Sequence, residues 1–174
     1  IWVLTETHDE LVPIGFEYSA HSEQRPFEAR EVREGSRWVS IWSRFPAKKL
    51  EDFELQRPDR TVVVKVEAPD KTLIVYGTVI QWKGDGDQFN WDAHHIGISE
   101  QSVEWKSLKR THPDADLCII GDYNTDMGTG AYYGTRRGIS ALNNAFSECG
   151  LFCATVPSRV PSGLLNHPPI DHIA

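Results

Sequence analysis

Asp122 and Asn124 stand two residues apart, directly after the apolar run Leu117-Cys118-Ile119-Ile120 and Gly121. A carboxylate and an amide at that spacing suit a hard cation and a phosphate oxygen, the carboxylate as oxygen ligand and the amide as hydrogen-bond donor. On extended backbone two residues apart point to the same side. Gly121 carries no Cβ, so the chain there can turn sharply or approach another group closely. Two further apolar runs deliver acids in the same way. Ile1-Trp2-Val3-Leu4-Thr5-Glu6-Thr7-His8 ends on Glu6, and Pro168-Pro169-Ile170-Asp171-His172-Ile173-Ala174 sets Asp171 and His172 inside an apolar stretch. Gly-Asp-Tyr-Asn alone is also ordinary turn chemistry. Three acids placed where an unpaired carboxylate is costly favour a functional reading.

The elements that must position these residues are strands. A run such as Leu117–Ile120 is stable only in a sheet covered on both faces, which makes its end rigid. Trp38-Val39-Ser40-Ile41-Trp42-Ser43-Arg44 reads as another strand, and Ile14-Gly15-Phe16-Glu17-Tyr18 as a short one within the charged stretch from residue 8 to 36. Thr61–Val66 and Thr72–Tyr76 are β-branched runs separated by Glu67-Ala68-Pro69-Asp70-Lys71, the pattern of a hairpin. Ser99 is expected to cap a helix bearing Val103, Trp105 and Leu108 that ends before Pro113. A second helix is expected from Ile139 to Cys149, with Ile139, Leu142, Ala145 and Phe146 on its apolar face and Gly150 as its stop. Lys83-Gly84-Asp85-Gly86-Asp87 has two acids between glycines but lacks the other ligands of a calcium loop, and reads as a turn. The glycine-rich, aromatic stretch Met127–Gly134 follows the Asp122 loop. Strands followed by alternating helices and strands define an α/β domain.

With 174 residues, 40% of them hydrophobic, the chain can bury a full core and is expected to form a single domain over residues 1–174. A net charge of −7 argues weakly against long duplex nucleic acid as the obvious substrate. The three cysteines, Cys118, Cys149 and Cys153, form no disulfide framework, although a Cys149–Cys153 bridge is sterically conceivable. The simplest compartment is a reducing, cytoplasmic one. No apolar run reaches the roughly 18 residues of a membrane-spanning helix.

With these segments in view, the chain resembles the endonuclease/exonuclease/phosphatase superfamily, which shares the deoxyribonuclease I fold. Leu4-Thr5-Glu6 is similar to the family's glutamate strand, and Gly121-Asp122-Tyr123-Asn124 to its Gly-Asp-aromatic-Asn signature. Ile170-Asp171-His172-Ile173 is similar to its Ile-Asp-Tyr/His-Ile strand, Trp38–Arg44 to its early strand ending in Ser-Arg, and Leu73–Val79 to its central strand. The resemblance implies an α/β four-layer sandwich, in which two packed, mostly antiparallel sheets are flanked by helices. Two departures stand out. The family closes with a Ser-Asp-His strand and opens with an earlier strand bearing Asn, neither of which falls within residues 1–174, so the resemblance implies a domain cut at both ends. Many of the family's nucleases also carry His or Asn at the end of the central strand, where this chain has Thr78 and Val79.

The resemblance implies a divalent-metal-dependent phosphoesterase, a nuclease or phosphodiesterase using metal-activated water. Glu6 would be the ligand of Mg²⁺, or of Mn²⁺ as a stand-in; Asp122 would orient or deprotonate the attacking water; Asn124 would hold a non-bridging oxygen. Asp171 would orient the catalytic histidine of the absent closing strand, a role that does not pass to His172, and Tyr76 would face the phosphate. The substrate would be a phosphoester, nucleic acid among the candidates. The alternatives are a phosphatase of nucleotides or lipid phosphates, and a non-catalytic phosphate- or metal-binding module that keeps the fold. His8, the His94-His95 pair and Arg136-Arg137 read as surface residues.

Overall fold

A computed structural model describes residues 1–26, 32–85, 90–128, 132–161 and 163–174. In chain order the elements are β1 (Trp2–His8), β2 (Tyr18–His21), β3 (Ser36–Ser43), β4 (Ala47–Lys49), β5 (Thr61–Ala68), β6 (Lys71–Val79), α1 (Asp92–Thr111), β7 (Asp116–Asp122), α2 (Arg136–Glu148), a 3₁₀ turn at Pro157–Arg159, and β8 (Asp171–Ile173). They form an α/β sandwich of a three-stranded sheet ordered β1-β3-β2 and a five-stranded sheet ordered β4-β5-β6-β7-β8, with two α-helices among the described residues. The strand pairs β1–β3, β2–β3, β4–β5 and β5–β6 are antiparallel, as the resemblance implies.

The chain divides into two compact units, Ile1–Val79 with His112–Gly121, and Ile80–Thr111 with Asp122–Ala174. In the first, alternate residues of facing strands supply the core: Val39 and Ile41 of β3, Val62, Val64 and Val66 of β5, and Val75 of β6 are all at most 1% exposed. Period-two alternation sends these side chains to one face, which explains why valine runs give this layer. The β5–β6 hairpin is present and tighter than the sequence suggests, because Ala68 pairs with Lys71 and leaves only Pro69-Asp70 to turn.

In the second unit α1 and α2 pack through Trp105 and Phe146, whose rings stack at 5.4 Å. The N-cap of α2 is Thr135, whose hydroxyl accepts from Gly138 N at 2.9 Å. Its buried face holds Leu142, Ala145 and Phe146, and Gly150 follows the cap at φ 69, the positive-φ stop anticipated from sequence.

Three expectations need correction. The short strand lies at Tyr18–His21, not Ile14–Tyr18, because Ile14 and Gly15 form a turn, with Gly15 at φ 81 and Ile14 98% exposed. Helix α1 begins at Asp92, seven residues before Ser99, so Ser99 lies inside it. Its buried stripe is His94, Gly97, Ile98, Gln101, Glu104, Trp105 and Leu108, while Val103 is exposed. That stripe has helical spacing but polar members, so a hydrophobic pattern could not reveal it. Finally, His94 is fully buried and is no surface residue.

Asp87 and Gly86 of the acidic turn, and residues 129–131 of the glycine-rich stretch, lie outside the described residues. Cys118, Cys149 and Cys153 are all free thiols.

Candidate active site

β7 ends where glycine is obligatory. Gly121 has φ 146, and a Cβ there would lie 1.9 Å from the Thr78 carbonyl oxygen of β6. Any side chain would push the two strands apart, so the close approach anticipated at Gly121 is what the fold requires. Beyond it the chain is fixed bond by bond. Ile80 N donates to Asp122 O at 2.9 Å, and Asn124 Nδ2 donates to Ile80 O at 2.8 Å. Asn124 N donates to Asp122 Oδ1 at 2.7 Å, so the Asp122 carboxylate is held by the backbone of the same turn that carries Asn124. Asn124 sits at φ 49, a left-handed conformation that asparagine tolerates better than most residues, and is 6% exposed. Tyr123, fully buried, donates its N–H to Ile170 O at 2.9 Å and lies against the rings of Phe146 and His172 at 5.8 and 5.3 Å. This bond ties the Asp122 turn to the residue preceding Asp171.

The loop after the signature is closed by Asp126, which sequence inspection passes over. It is 2% exposed; Oδ1 accepts from Gly128 N and Oδ2 from Tyr132 N, each at 3.0 Å, and Asp126 N donates to Tyr133 O at 2.9 Å. The closure brings Tyr133 back toward Asp122. Burial raises the Tyr133 hydroxyl above its ordinary pKa, and the Asp122 carboxylate raises it further, against a hydrogen bond with the Lys83 backbone. Trp91 meets Tyr133 and His94 edge-on at 5.3 and 5.2 Å. The signal for this loop was Asp126 itself, two residues beyond Asn124.

On β8 Asp171 is exposed and His172, 1% exposed, is buried. His172 Nε2 lies 2.8 Å from Thr125 O and Nδ1 3.0 Å from Thr155 Oγ1. Burial lowers its pKa despite the opposing influence of these partners and of Asp171 and Asp126.

In the other unit, Glu6 is exposed on β1 at φ 52, although the register is continuous on either side, with Thr5 opposite Val39 and Thr7 opposite Arg37. A glutamate at positive φ inside a paired strand is a strained conformation costing on the order of 1–3 kcal/mol, and such outliers concentrate where a side chain must be aimed. Its carboxylate fits Mg²⁺, which keeps several waters and needs only one or two protein carboxylates. Among the described residues no three His, Cys, Asp or Glu side chains gather into a metal-holding group, which is the donor number of a structural cation cage rather than of a hydrated Mg²⁺. Tyr76 is fully buried in β6, opposite Val63, and Thr78 and Val79 are buried at its end. His8 is satisfied locally, with Nε2 2.7 Å from Glu34 O and Nδ1 accepting from Glu10 N at 3.2 Å. Arg136 and Arg137 are exposed in the first turn of α2.

This architecture is a deoxyribonuclease I-like fold. The endonuclease domain of TRAS1, a telomere-specific non-LTR retrotransposon, is similar over 98% of this chain and 69% of its own, with TM-score 0.61 and 12% identity. Beta toxin from Staphylococcus aureus matches with TM-score 0.48 and 19% identity over 75% of this chain, which spans half the length of the toxin chain. SmcL matches with TM-score 0.49 and 11% identity over 91% of this chain and 60% of its own. No protein-family model matches the chain, and no curated protein matches it in sequence.

Proposed function

We propose that the chain is the core of a divalent-metal-dependent phosphoesterase, a nuclease or phosphodiesterase that cleaves with an activated water. The observation that carries this reading is the strand end at Asp122 and Asn124, where the Asn124 backbone N–H holds the Asp122 carboxylate at 2.7 Å and the Asn124 side-chain amide is anchored on Ile80 O at 2.8 Å, on a fold shared with an endonuclease domain. Asn124 Nδ2 uses one hydrogen on Ile80 O, and its second is a donor for a non-bridging phosphoryl oxygen. Asp122 would hold and deprotonate the attacking water, a role typically worth 10²–10⁴ in rate. Asp171, exposed on β8, would orient an imidazole by fixing its tautomer. Glu6 would hold Mg²⁺ or Mn²⁺, and the ion would polarise a phosphoryl oxygen and stabilise the leaving alkoxide.

The test is hydrolysis of bis(4-nitrophenyl) phosphate with Mg²⁺, compared with EDTA and with Asp122→Ala. Metal dependence and a loss on the order of 10²-fold or more in the variant are expected. Activity that survives both treatments would overturn the assignment. Mg²⁺ binding with no turnover would instead favour the non-catalytic module.

A further inference from the structure

We propose that His94 and His172 are a pair of positioning residues of opposite tautomer that clamp Thr125 from two sides and so hold the Asp122–Asn124 turn in register. The proposal rests on the phosphoesterase reading only for its catalytic consequence; the clamp itself is a matter of geometry. Thr125 follows Asn124 directly and has no exposed surface. Its side chain and its backbone are held by different imidazoles. His94 Nδ1 lies 2.7 Å from Gln81 O, and His94 Nε2 lies 3.0 Å from Thr125 Oγ1. A carbonyl can only accept, so Nδ1 carries the proton and Nε2 accepts from the threonine hydroxyl. His172 is the reverse. Its Nε2 lies 2.8 Å from Thr125 O and must be the protonated nitrogen, leaving Nδ1 to accept from Thr155 Oγ1 at 3.0 Å. Thr155 Oγ1 accepts from Ile173 N at 3.0 Å and lies 3.9 Å from Cys153 Sγ, and with its own proton directed to His172 Nδ1 each proton in the chain of bonds has one consistent place.

His94 joins four elements. It belongs to α1, bonds the residue after Ile80 and the signature loop, and packs against α2, where a Cβ on Gly138 would lie 3.0 Å from His94 Nε2. Gly138 therefore leaves room in the first turn of α2 for the imidazole. Both histidines have almost no exposed surface, 0% for His94 and 1% for His172. Burial holds both below their ordinary pKa, His94 at about 4, which keeps the neutral forms that the clamp requires. The titratable groups that bear on them are few. His95 on the same helix further disfavours a charge on His94, whereas Asp171 beside it and Asp126 from the loop favour one on His172. Protonation of His94 would remove the acceptor for Thr125 Oγ1, so the clamp is expected to fail in acid.

The direct test is long-range ¹H–¹⁵N correlation on the ¹⁵N-labelled chain near neutral pH. The expected spectrum has one buried histidine protonated at Nδ1 and another at Nε2; the same tautomer at both would overturn the proposal. Two variants then separate positioning from general stability. Thr125→Val removes the hydroxyl at equal volume and Thr125→Ser retains it. With bis(4-nitrophenyl) phosphate and Mg²⁺, Thr125→Val is expected to lose roughly 10-fold or more in kcat with KM little changed, since small misplacements of reacting groups are costly, and Thr125→Ser to recover it. In the same samples the Asn124 amide should exchange faster in Thr125→Val only. Equal exchange and equal kcat in both variants would contradict the proposal. Absence of turnover in the unmodified chain defeats the phosphoesterase reading, while the tautomer and exchange measurements still decide the clamp. The tautomer measurement alone decides it if Thr125→Val does not fold.

Discussion

Asp122 and Asn124 stand out in the sequence because an apolar run that stops on Gly-Asp-Tyr-Asn has few ways to satisfy its ends, and the structure places both in one turn, with the Asn124 backbone N–H on Asp122 Oδ1. Glu6 was legible as a residue type, but its φ of 52 was not, since nothing in Leu-Thr-Glu-Thr signals a left-handed residue inside a strand. That angle makes a prediction. Glu6→Gly should leave stability unchanged or raise it by up to about 1 kcal/mol, as glycine adopts positive φ without penalty, and should abolish Mg²⁺ binding. Glu6→Val should cost about 1–2 kcal/mol because a β-branched residue is disfavoured there. Urea unfolding of both measures the difference; equal stabilities would mean that the strain at residue 6 is absent. Tyr133, in contrast, could not be found from sequence, because its approach to Asp122 depends on a loop closed by the buried Asp126 carboxylate.

Elements with a period-two or apolar 3.6-residue pattern were recognised, as the β5–β6 hairpin and α2 show, although α2 begins at Arg136 rather than Ile139 and Ile139 is not among its buried residues. Helix α1 was misplaced at its start because its buried face includes His94, Gln101 and Glu104, polar residues that binary patterning assigns to solvent. Glycines at element ends offer a sharp test of how the strands are held. Gly121→Ala places a methyl 1.9 Å from a backbone oxygen and is expected to cost 3 kcal/mol or more, on the order of the largest single-residue effects, or to prevent folding. Gly150→Ala, at φ 69 with nothing within 4 Å, should cost only about 1–2 kcal/mol. Denaturation midpoints of the pair compare a steric requirement with a purely conformational one; similar costs would show that β7 does not approach Thr78 as described.

For the whole chain, composition suited a buried α/β core, and no helix among the described residues is long and apolar enough to cross a membrane. Acid stability follows from the buried histidines. His94 has its pKa depressed from 6.5 to about 4, so the folded state favours the neutral ring more than the unfolded chain does. The associated stability is fully present above pH 6.5 and is lost as pH falls towards 4, an amount on the order of 3 kcal/mol for such a shift. His172 shifts in the same direction and adds to the loss. Thermal unfolding followed from pH 7 to pH 4 should show this decline, and it should be smaller in His94→Gln; a flat profile would contradict the buried neutral imidazole. The central claim, a metal-dependent phosphoesterase site at the end of β7, is tested most directly by Mg²⁺-dependent hydrolysis of bis(4-nitrophenyl) phosphate by the chain and by its Asp122→Ala variant. Turnover that requires the metal and falls about 10²-fold or more in the variant is the predicted result. Equal turnover by the two proteins, with EDTA present, would contradict it.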